Sequence, residues 1–381
     1  MDAIVNQVTV LAKGADEAAR KAILTALRDL SYSIETPDDT VTRIWGLHLS
    51  EASVRAAINL KLFNHLVDSP NPLTVEKLVS LTNAEETLLA RLLRHLASNA
   101  MIKETGLNEY TATHITQTLA HPGRQACIKH CFDDCGPCYQ EMPAYLQKTG
   151  YRNLTDSYHT VWQDAWHTKE SLFEWMMGHP KNFENFNLFM ATRRENQTTW
   201  IDRYPVKGEA TGLSPERALF VDVGGGIGHQ CADFKAKYPD LPGRVILQDL
   251  PLAVEHAIPT PGVEVMTYDF MTPQPIKGAK FYYLRAVLHD WPDEKCRVIL
   301  KNTIDASAPD SVILIDDIVT PNKGVNWQVT QIDLTMMVVC AAMERTETQW
   351  QNLFDSIGLK IVKRFVYTPS MYETVTAVVP K

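Results

Sequence analysis

A glycine-rich turn at Val221–His229, with the sequence VDVGGGIGH, constrains this chain more than any other feature. Glycines in such a turn let the backbone approach a ligand closely at the N-terminus of the helix that follows. The spacing is G-x-G-x-G and lacks the sixth-position glycine of the fingerprint that binds dinucleotides. The carboxylate in the turn would repel a pyrophosphate but could serve a cofactor that carries a cationic amino group. We therefore predict a binding turn for such a cofactor, formed by Asp222, Gly224, Gly226 and Gly228.

Short apolar runs alternate with helical stretches from Ala218 to the end of the chain. This alternation predicts an α/β domain whose parallel sheet is covered by helices on both faces. One of the helices has a clear start, because Thr346 and Gln349 match a capping box. The predicted strands are Leu219–Val223, Arg244–Leu247, Val263–Tyr268, Lys280–Leu284, Val312–Ile315, Lys360–Phe365 and Thr374–Val379.

Polar and aromatic side chains follow the second and third predicted strands. In open α/β sheets, ligands bind beyond the carboxyl ends of the strands. Asp249 and Leu250 lie about 20 residues after the turn, at a place where a carboxylate binds both hydroxyls of a ribose. Asp269 and Phe270 would offer a polar group to an adenine amine and an aromatic face to its ring. The sequence thus predicts a nucleoside site at this edge of the sheet.

A histidine follows the fourth predicted strand at the same edge. His289 stands in the segment LRAVLHDWP, and an imidazole that titrates near neutrality can take a proton from a hydroxyl group. Two carboxylates could orient its ring, Asp317 after the fifth strand and Glu344 before the capped helix. A lone histidine is more often structural, so the prediction of a general base depends on these partners.

Composition and charge exclude several classes of protein. The chain has 381 residues, enough for two domains, and its net charge of -8 argues against a general nucleic-acid binder. No apolar run reaches the roughly 20 residues that cross a bilayer, and the N-terminus has no signal-peptide layout, so we expect a cytoplasmic protein. Four of the seven cysteines cluster around His130, but three of them recur every four residues, which favours a helix face over a zinc site. We predict no bound metal.

The chain divides into three predicted parts, residues 1–120, 121–205 and 206–381. In the first part, Ser50 is expected to cap one helix and Thr74 to open the next, before a further helix and a small hairpin. This is a winged-helix layout, which can bind DNA. We favour a homodimerisation domain instead, because the second helix of the layout offers few basic groups, namely Arg91, Arg94 and His95.

The second part, residues 121–205, is rich in aromatic side chains and methionine. Most of these side chains must form a core, but flat and polarizable groups beside a catalytic domain also suit a pocket for a planar, hydrophobic ligand. We predict that a small-molecule substrate meets apolar side chains at Trp166, Phe186, Met190 and Met337. Polar groups for the same pocket are His130, Arg193 and Arg194, whose alternative interpretation is a polar helix face or ion pairing.

The motifs together resemble the fungal and plant O-methyltransferases of the caffeate type, which depend on S-adenosylmethionine. The resemblance covers nearly the whole chain and rests on VDVGGGIGH, QDLP, YDF, LHDWPDEKC, LIDDIVTP and MERTETQW. It implies the class I methyltransferase fold, a Rossmann-like sheet with helices on both faces, behind an N-terminal winged-helix domain that forms the homodimer.

The resemblance also implies roles for individual residues. His289 would be the general base, held by Asp317 and Glu344, although plant members of the family have glutamate in place of Asp317. Asp249 would bind the ribose of S-adenosylmethionine, and Arg285 stands where the family has a basic residue near the cofactor. The expected activity is transfer of a methyl group to a hydroxyl of an aromatic or polyketide-type natural product in secondary metabolism.

A second activity remains open at this point. Some fungal proteins with the same resemblance are pericyclases and dehydratase-type cyclases of pyridone polyketides, and they use the bound cofactor as a fixed positive charge without methyl transfer. Such a reaction needs preorganised donors aimed at a substrate carbonyl. The candidate donors here are His130, Arg193 and Arg194.

Overall fold

The computed structural model describes residues 2–192 and 198–381, which fall into two units. The first unit contains residues 2–136 and 181–192, and the second contains residues 137–180 and 198–381. The first unit has one buried apolar cluster among the described residues, and the second has two, one on each face of its sheet. None of the helices in the described part of the chain is both long and apolar enough to cross a membrane. The cytoplasmic location stays a prediction.

The first unit begins with helices and a small sheet. In chain order its elements are α1 (Asp2–Lys13), α2 (Glu17–Ile34), α3 (Pro37–Asn59), α4 (Leu62–Asp68), β1 (Leu73–Thr74), α5 (Val75–Thr82), α6 (Glu86–Ser98), β2 (Lys103–Gly106), β3 (Glu109–Thr111), α7 (His114–Ala120) and α8 (Pro122–Lys129). Thr74 caps α5 as predicted, because its side chain accepts a hydrogen bond from the amide of Lys77. The predicted cap at Ser50 is wrong, since α3 starts much earlier, with a capping box between Thr36 and Asp39.

The winged-helix layout is present with one additional strand. Helices α5 and α6 precede the hairpin of β2 and β3, and β1 pairs antiparallel with β3. The sequence reasoning expected the hairpin alone, because a two-residue strand has too few residues for a visible period. The core of this layout is apolar and includes Leu62, Phe63, Leu89, Leu93 and Tyr110.

Short helices follow in the middle of the chain. A turn of π-helix at His130–Cys135 comes after α8, and then come α9 (Gly136–Lys148), α10 (Val161–Trp166), α11 (Leu172–Met177), α12 (Pro180–Thr192) and α13 (Val206–Glu209). Residues 181–192 of α12 belong to the first unit, whereas α10 and α11 belong to the second.

The second unit is built on a seven-stranded sheet. Its elements are β4 (Ala218–Val223), α14 (His229–Lys237), β5 (Arg244–Asp249), α15 (Pro251–Glu255), β6 (Val263–Thr267), β7 (Phe281–Arg285), α16 (Asp293–Ile304), β8 (Val312–Ile318), α17 (Trp327–Cys340), α18 (Glu347–Ser356), β9 (Leu359–Thr368) and β10 (Glu373–Pro380). The strand order is β6-β5-β4-β7-β8-β10-β9. The first five strands are parallel, but β10 runs antiparallel to both β8 and β9. The prediction of a parallel sheet is therefore wrong for β10, which pairs antiparallel with both of its neighbours.

Both faces of the sheet are buried, as predicted. One cluster joins the sheet to α16 and α18 and includes Ile299, Leu300 and Trp350, and the other joins it to α14 and includes Phe234. Because both faces are covered, every residue of β4 and β8 is buried. Helix α18 begins with the predicted capping box at Thr346. The second unit has the class I methyltransferase architecture, and a helical N-terminal domain precedes it in the chain.

Candidate active site

The glycine-rich turn joins β4 to α14 and presents open backbone on one side. Gly224, Gly226 and Gly228 have φ angles of +71°, +60° and +87°, which L side chains rarely adopt. A Cβ atom on Gly226 would meet nothing within 4 Å, whereas one on Gly225 would lie 2.5 Å from the carboxylate of Asp222. The turn is thus packed on its inner side and open on its outer side, the shape that a ligand lying against backbone requires.

Asp222 lies on the packed side of the turn. Its side chain is buried, and its Oδ2 accepts a hydrogen bond from the thiol of Cys231 at 3.6 Å. Burial raises the pKa of Asp222 to about 7. The carboxylate therefore packs against the inner side of the turn. Its binding to the cationic amino group of a cofactor stays a prediction.

Asp249 ends β5 on the open side of the turn. Its Oδ2 accepts a hydrogen bond from the amide of Gly226 at 2.7 Å, and its Oδ1 accepts one from the amide of Leu250 at 2.7 Å. Burial raises the pKa of Asp249, although these two amides oppose the shift. Each carboxylate oxygen has a second lone pair, so the group can still accept hydrogen bonds from two ribose hydroxyls. These acceptor oxygens fit the hydroxyls of the sugar of S-adenosylmethionine.

Phe270 forms an aromatic wall beside the same turn. A Cβ atom built on Gly224 would lie 3.3 Å from Cε1 of Phe270, and the ring of Trp291 meets the Phe270 ring edge-on at 5.9 Å. The neighbouring Asp269 is exposed, and its Oδ1 accepts a hydrogen bond from the amide of Met271. A flat base next to these groups would have one aromatic face and one polar acceptor, and the contact of both groups with an adenine stays a prediction.

Arg285 ends β7 and is held by a network that the sequence reasoning missed. Its Nε lies 3.5 Å from Oδ2 of Asp316, a carboxylate that also accepts hydrogen bonds from Tyr283 at 2.5 Å and Tyr367 at 2.7 Å. Consecutive strand residues face opposite sides of a sheet, so Asp316 and Asp317 face different helical layers. Two adjacent aspartates in one buried strand therefore indicate a second buried carboxylate, Asp316, on the face opposite Asp317.

His289 lies in a single turn of 3₁₀-helix between β7 and α16. Its side chain is buried, its Nδ1 lies 2.7 Å from Oε1 of Glu344, and its Nε2 lies 3.5 Å from Oδ1 of Asp290. Burial lowers the pKa of His289, but the nearby carboxylates of Asp290 and Glu344 outweigh it and raise the pKa to about 10. Glu344 holds Nδ1 at hydrogen-bond distance, whereas Nε2 has the longer contact with Asp290 and is the ring nitrogen more available to another group.

Asp317 does not repeat the contact that Glu344 makes. Within the described residues, neither carboxylate oxygen of Asp317 has a hydrogen-bond partner, and only 3% of the residue is exposed. Burial raises the pKa of Asp317 to about 8, against the opposing effect of His289. Of the two carboxylates expected to hold the imidazole, only Glu344 is hydrogen-bonded to it among the described residues.

Two of the residues predicted to line a substrate pocket lie in the second unit. Trp166 is half-buried and packs against Trp162 and Trp175, with ring centroids 5.6 Å and 4.7 Å away. Met337 is half-buried on α17, which packs against α10, the helix that carries Trp166. Their contact with a substrate stays a prediction.

The other candidates for that pocket lie in the first unit. His130 is buried in the π-helical turn, and its Nδ1 lies 2.8 Å from Oδ2 of Asp134, whose Oδ1 accepts a hydrogen bond from Asn182 at 2.6 Å. The ring of Phe186 meets His130 edge-on at 5.3 Å, and Met190 is half-buried on the same helix, α12. The described residues contain no cluster of three or more histidine, cysteine or acidic side chains suited to a metal ion. Arg193 and Arg194 lie outside the described residues.

Comparison with known proteins agrees with this architecture. The O-methyltransferase domain family matches residues 154–360, and the O-methyltransferase dimerisation domain matches residues 44–122. Demethylsterigmatocystin 6-O-methyltransferase of Aspergillus parasiticus is 40% identical, over 96% of this chain and 94% of its own length.

Several solved structures match the whole chain. One is described as a pericyclic reaction enzyme and shares 37% identity at a TM-score of 0.94, covering 100% of this chain and 99% of its own. Another is LepI in complex with SAM, with the same identity and TM-score, covering 100% and 98%. O-methyltransferase lepI of Aspergillus flavus is 38% identical over 96% of this chain and 95% of its own length.

The chain belongs to the O-methyltransferase family and carries the dimerisation domain of that family. The prediction of S-adenosylmethionine as the cofactor is confirmed at the level of this family. The open glycine turn, the Asp249 carboxylate and the Phe270 ring are the groups of this chain that fit the cofactor.

Replacement of Asp249 by alanine is expected to weaken cofactor binding. Two hydrogen bonds to a buried carboxylate are worth roughly 2–4 kcal/mol, so the Kd of S-adenosylmethionine should rise by about 30-fold or more in calorimetry. Asp310→Ala is the matched control, because that carboxylate lies at the amino-terminal edge of the sheet and pairs with Arg217. Equal affinities for Asp249→Ala and wild type would contradict the assignment.

Replacement of Asp317 by asparagine is expected to stabilise the protein above about pH 4. A carboxyl whose pKa is raised by folding holds its proton more tightly in the folded state, so wild-type stability falls as pH rises from about 4 to about 8. The asparagine variant escapes this loss, which should amount to several kcal/mol at pH 8. Thermal unfolding of both proteins at pH 4 and pH 8 measures the difference, and a variant that is less stable at both pH values would refute the account.

Proposed function

We propose that the protein is an S-adenosylmethionine-dependent O-methyltransferase that acts on a hydroxyl of a hydrophobic, aromatic or polyketide-type natural product. The observation that carries the proposal is the buried pair of His289 and Glu344 at the carboxyl edge of the sheet, with a separation of 2.7 Å. This edge also holds the glycine turn and Asp249. A proton acceptor and a cofactor site therefore share one edge of the second unit.

The proposed chemistry assigns a step to each group. When bound, S-adenosylmethionine supplies an electrophilic methyl group that a nucleophilic oxygen can attack. His289 takes the hydroxyl proton at Nε2, while Glu344 holds Nδ1 and stabilises the imidazolium that forms. The high pKa of His289 makes it a strong base, but only the neutral ring can accept the proton.

The substrate class rests on two observations. The relative that is 40% identical is named for 6-O-methylation of demethylsterigmatocystin. In this chain, an aromatic series runs away from the cofactor turn, because Phe270 contacts Trp291 edge-on and Phe173 stacks on Trp291 at 6.4 Å. Aromatic side chains in this arrangement favour a flat, apolar acceptor.

A second candidate function is pericyclic or dehydrative cyclisation of a polyketide without methyl transfer. It is favoured by the similarity to the pericyclic reaction enzyme and by a second buried imidazole–carboxylate pair, His130 and Asp134. Asn182 donates to Asp134, so the carboxylate is fixed, and Nε2 of His130 lies 3.8 Å from Sγ of Cys135, a weak partner that a stronger acceptor could replace. A hydrogen bond from that nitrogen to a substrate carbonyl would suit such a reaction.

Replacement of His289 by alanine is expected to abolish methyl transfer and to leave cofactor binding intact. Loss of a general base costs about two to four decades in rate, and the imidazole makes no predicted contact with the cofactor. Steady-state kinetics and calorimetry measure the two effects, and Glu344→Gln should lose less because it only orients the ring. His159→Ala is the control, since that histidine forms a similar pair with Asp156 on the surface.

The pH dependence of the wild-type protein and a His130→Ala variant separate the two candidate functions. Under methyl transfer, kcat/KM rises with pH through the elevated pKa of His289, because the neutral ring is the active form. Under cyclisation, His130→Ala removes turnover, and the wild-type protein converts its substrate while the amount of S-adenosylmethionine stays constant. If His289→Ala retains methyl transfer, His289 is not the general base.

We also propose that the protein is a homodimer through its N-terminal unit. Large apolar side chains on α3 are exposed within the segment that matches the dimerisation domain, with Trp45 62%, Leu47 64% and Leu49 48% exposed. Apolar patches of this kind are covered in stable proteins, and a twofold dimer is the commonest way to cover them.

Substitution of Leu47 by glutamate is expected to shift the dimer toward monomer. A buried, unpaired carboxylate at an interface is costly, so light scattering at micromolar concentration should report a smaller particle than for wild type. Val362→Glu is the matched control, because Val362 is 60% exposed on β9 in the second unit. A wild-type protein that is already monomeric would overturn the proposal.

A further inference from the structure

Arg345 is a buried cation that directly follows Glu344 and that the proposed chemistry does not use. It is 0% exposed, which is rare for an arginine unless its donors are satisfied. Its guanidinium lies 5.2 Å from the ring centroid of Trp350 in the core beneath the sheet edge.

The donors of Arg345 hold the backbone on both sides of His289. Nη1 donates to the carbonyl of Leu288 at 2.8 Å, and Nη2 donates to the carbonyl of Trp291 at 2.9 Å. Nε and Nη2 both donate to Oδ1 of Asp293, at 2.9 Å and 2.7 Å. The segment that carries the imidazole is therefore pinned at its start, at its end and at the first turn of the following helix.

This segment needs an external support. It leaves β7 at Ala286, which has a φ angle of +49°, a conformation that alanine adopts only at a cost. It then makes a single 3₁₀ turn at Leu288–Asp290, which has too few internal hydrogen bonds to fix its own orientation.

We propose that Arg345 is a positioning residue that sets where His289 meets the acceptor hydroxyl. Two adjacent side chains then have separate roles, because Glu344 fixes the imidazole ring through Nδ1 and Arg345 fixes the loop that carries the ring. The inference rests on the proposed function, because it takes His289 as the group that meets the acceptor. A displacement of roughly 1 Å at a reacting group can cost about a hundredfold in rate.

The geometry requires arginine at this position. The planar guanidinium has five donors in a fixed fork and reaches two carbonyls and one carboxylate together, whereas a lysine ammonium is a compact charge on a flexible stem. Arg345→Lys thus keeps the positive charge in the core and loses the simultaneous contacts.

The test compares Arg345→Lys with wild type in three measurements. We expect kcat for methyl transfer to fall roughly 10- to 100-fold with a smaller change in KM, and the Kd of S-adenosylmethionine to stay within about twofold. NMR titration of the imidazole should show the pKa of His289 moving from its raised value toward 6.5, as the contact with Glu344 loosens. Asp290 and Asp317 also face the ring, and both are unchanged in the variant.

Arg217→Lys is the matched control. Arg217 donates to the carbonyl of Gly278 at 2.7 Å and pairs with Asp310, so its replacement removes bonds of the same kind at the opposite edge of the sheet. It should lower the unfolding temperature without changing kcat or the pKa of His289. If Arg345→Lys fails to fold, Asp293→Asn weakens the same clamp from its partly exposed end and should give a smaller shift in the same direction.

The outcomes separate this inference from the proposed function. A wild-type protein without methyl transfer would refute the proposed function, while the imidazole titration would still decide whether Arg345 positions His289. An unchanged pKa and an unchanged kcat in a folded Arg345→Lys or Asp293→Asn variant would overturn the inference.

Discussion

Charge buried at the carboxyl edge of the sheet governs the arrangement of the second unit. His289 and Glu344 are both withdrawn from water, and removing an unpaired charge from water costs several kcal/mol. The hydrogen-bonded ion pair between the imidazole and the carboxylate, 2.7 Å apart, offsets this cost. The high pKa of His289 follows from the same arrangement, since the nearby carboxylates favour the cation more than burial disfavours it.

Two buried aspartates near the end of β8, Asp316 and Asp317, point to opposite faces of the sheet. Asp316 is fully satisfied by Tyr283 and Tyr367 on one face, whereas Asp317 on the other face has no partner among the described residues. Native structures rarely leave a buried carboxylate unsatisfied. The cation that opposes the rise in the pKa of Asp317 is His289, and Arg345 holds the loop that carries this histidine.

Much of the architecture is predictable from the sequence, because strand positions, the capping box at Thr346 and the edge that carries His289 all follow from local patterns. The antiparallel direction of β10 is not predictable, since hydrophobic alternation carries no direction. The sequence also does not show which carboxylate contacts His289. Glu344 does and Asp317 does not, although both lie at the carboxyl edge of the sheet. Arg345 was missed because a motif shows that a charge is present but not that it is buried.

The central claim is that the bound cofactor is consumed by transfer of its methyl group to a hydroxyl. The direct measurement supplies S-adenosylmethionine with an isotopically labelled methyl group, together with a panel of phenols and pyridone alcohols, and follows the masses of both products. We predict that the label appears on an acceptor oxygen and that one S-adenosylhomocysteine forms for each product molecule. A product that is an unlabelled isomer or dehydration product, formed while the labelled cofactor persists, would contradict the claim.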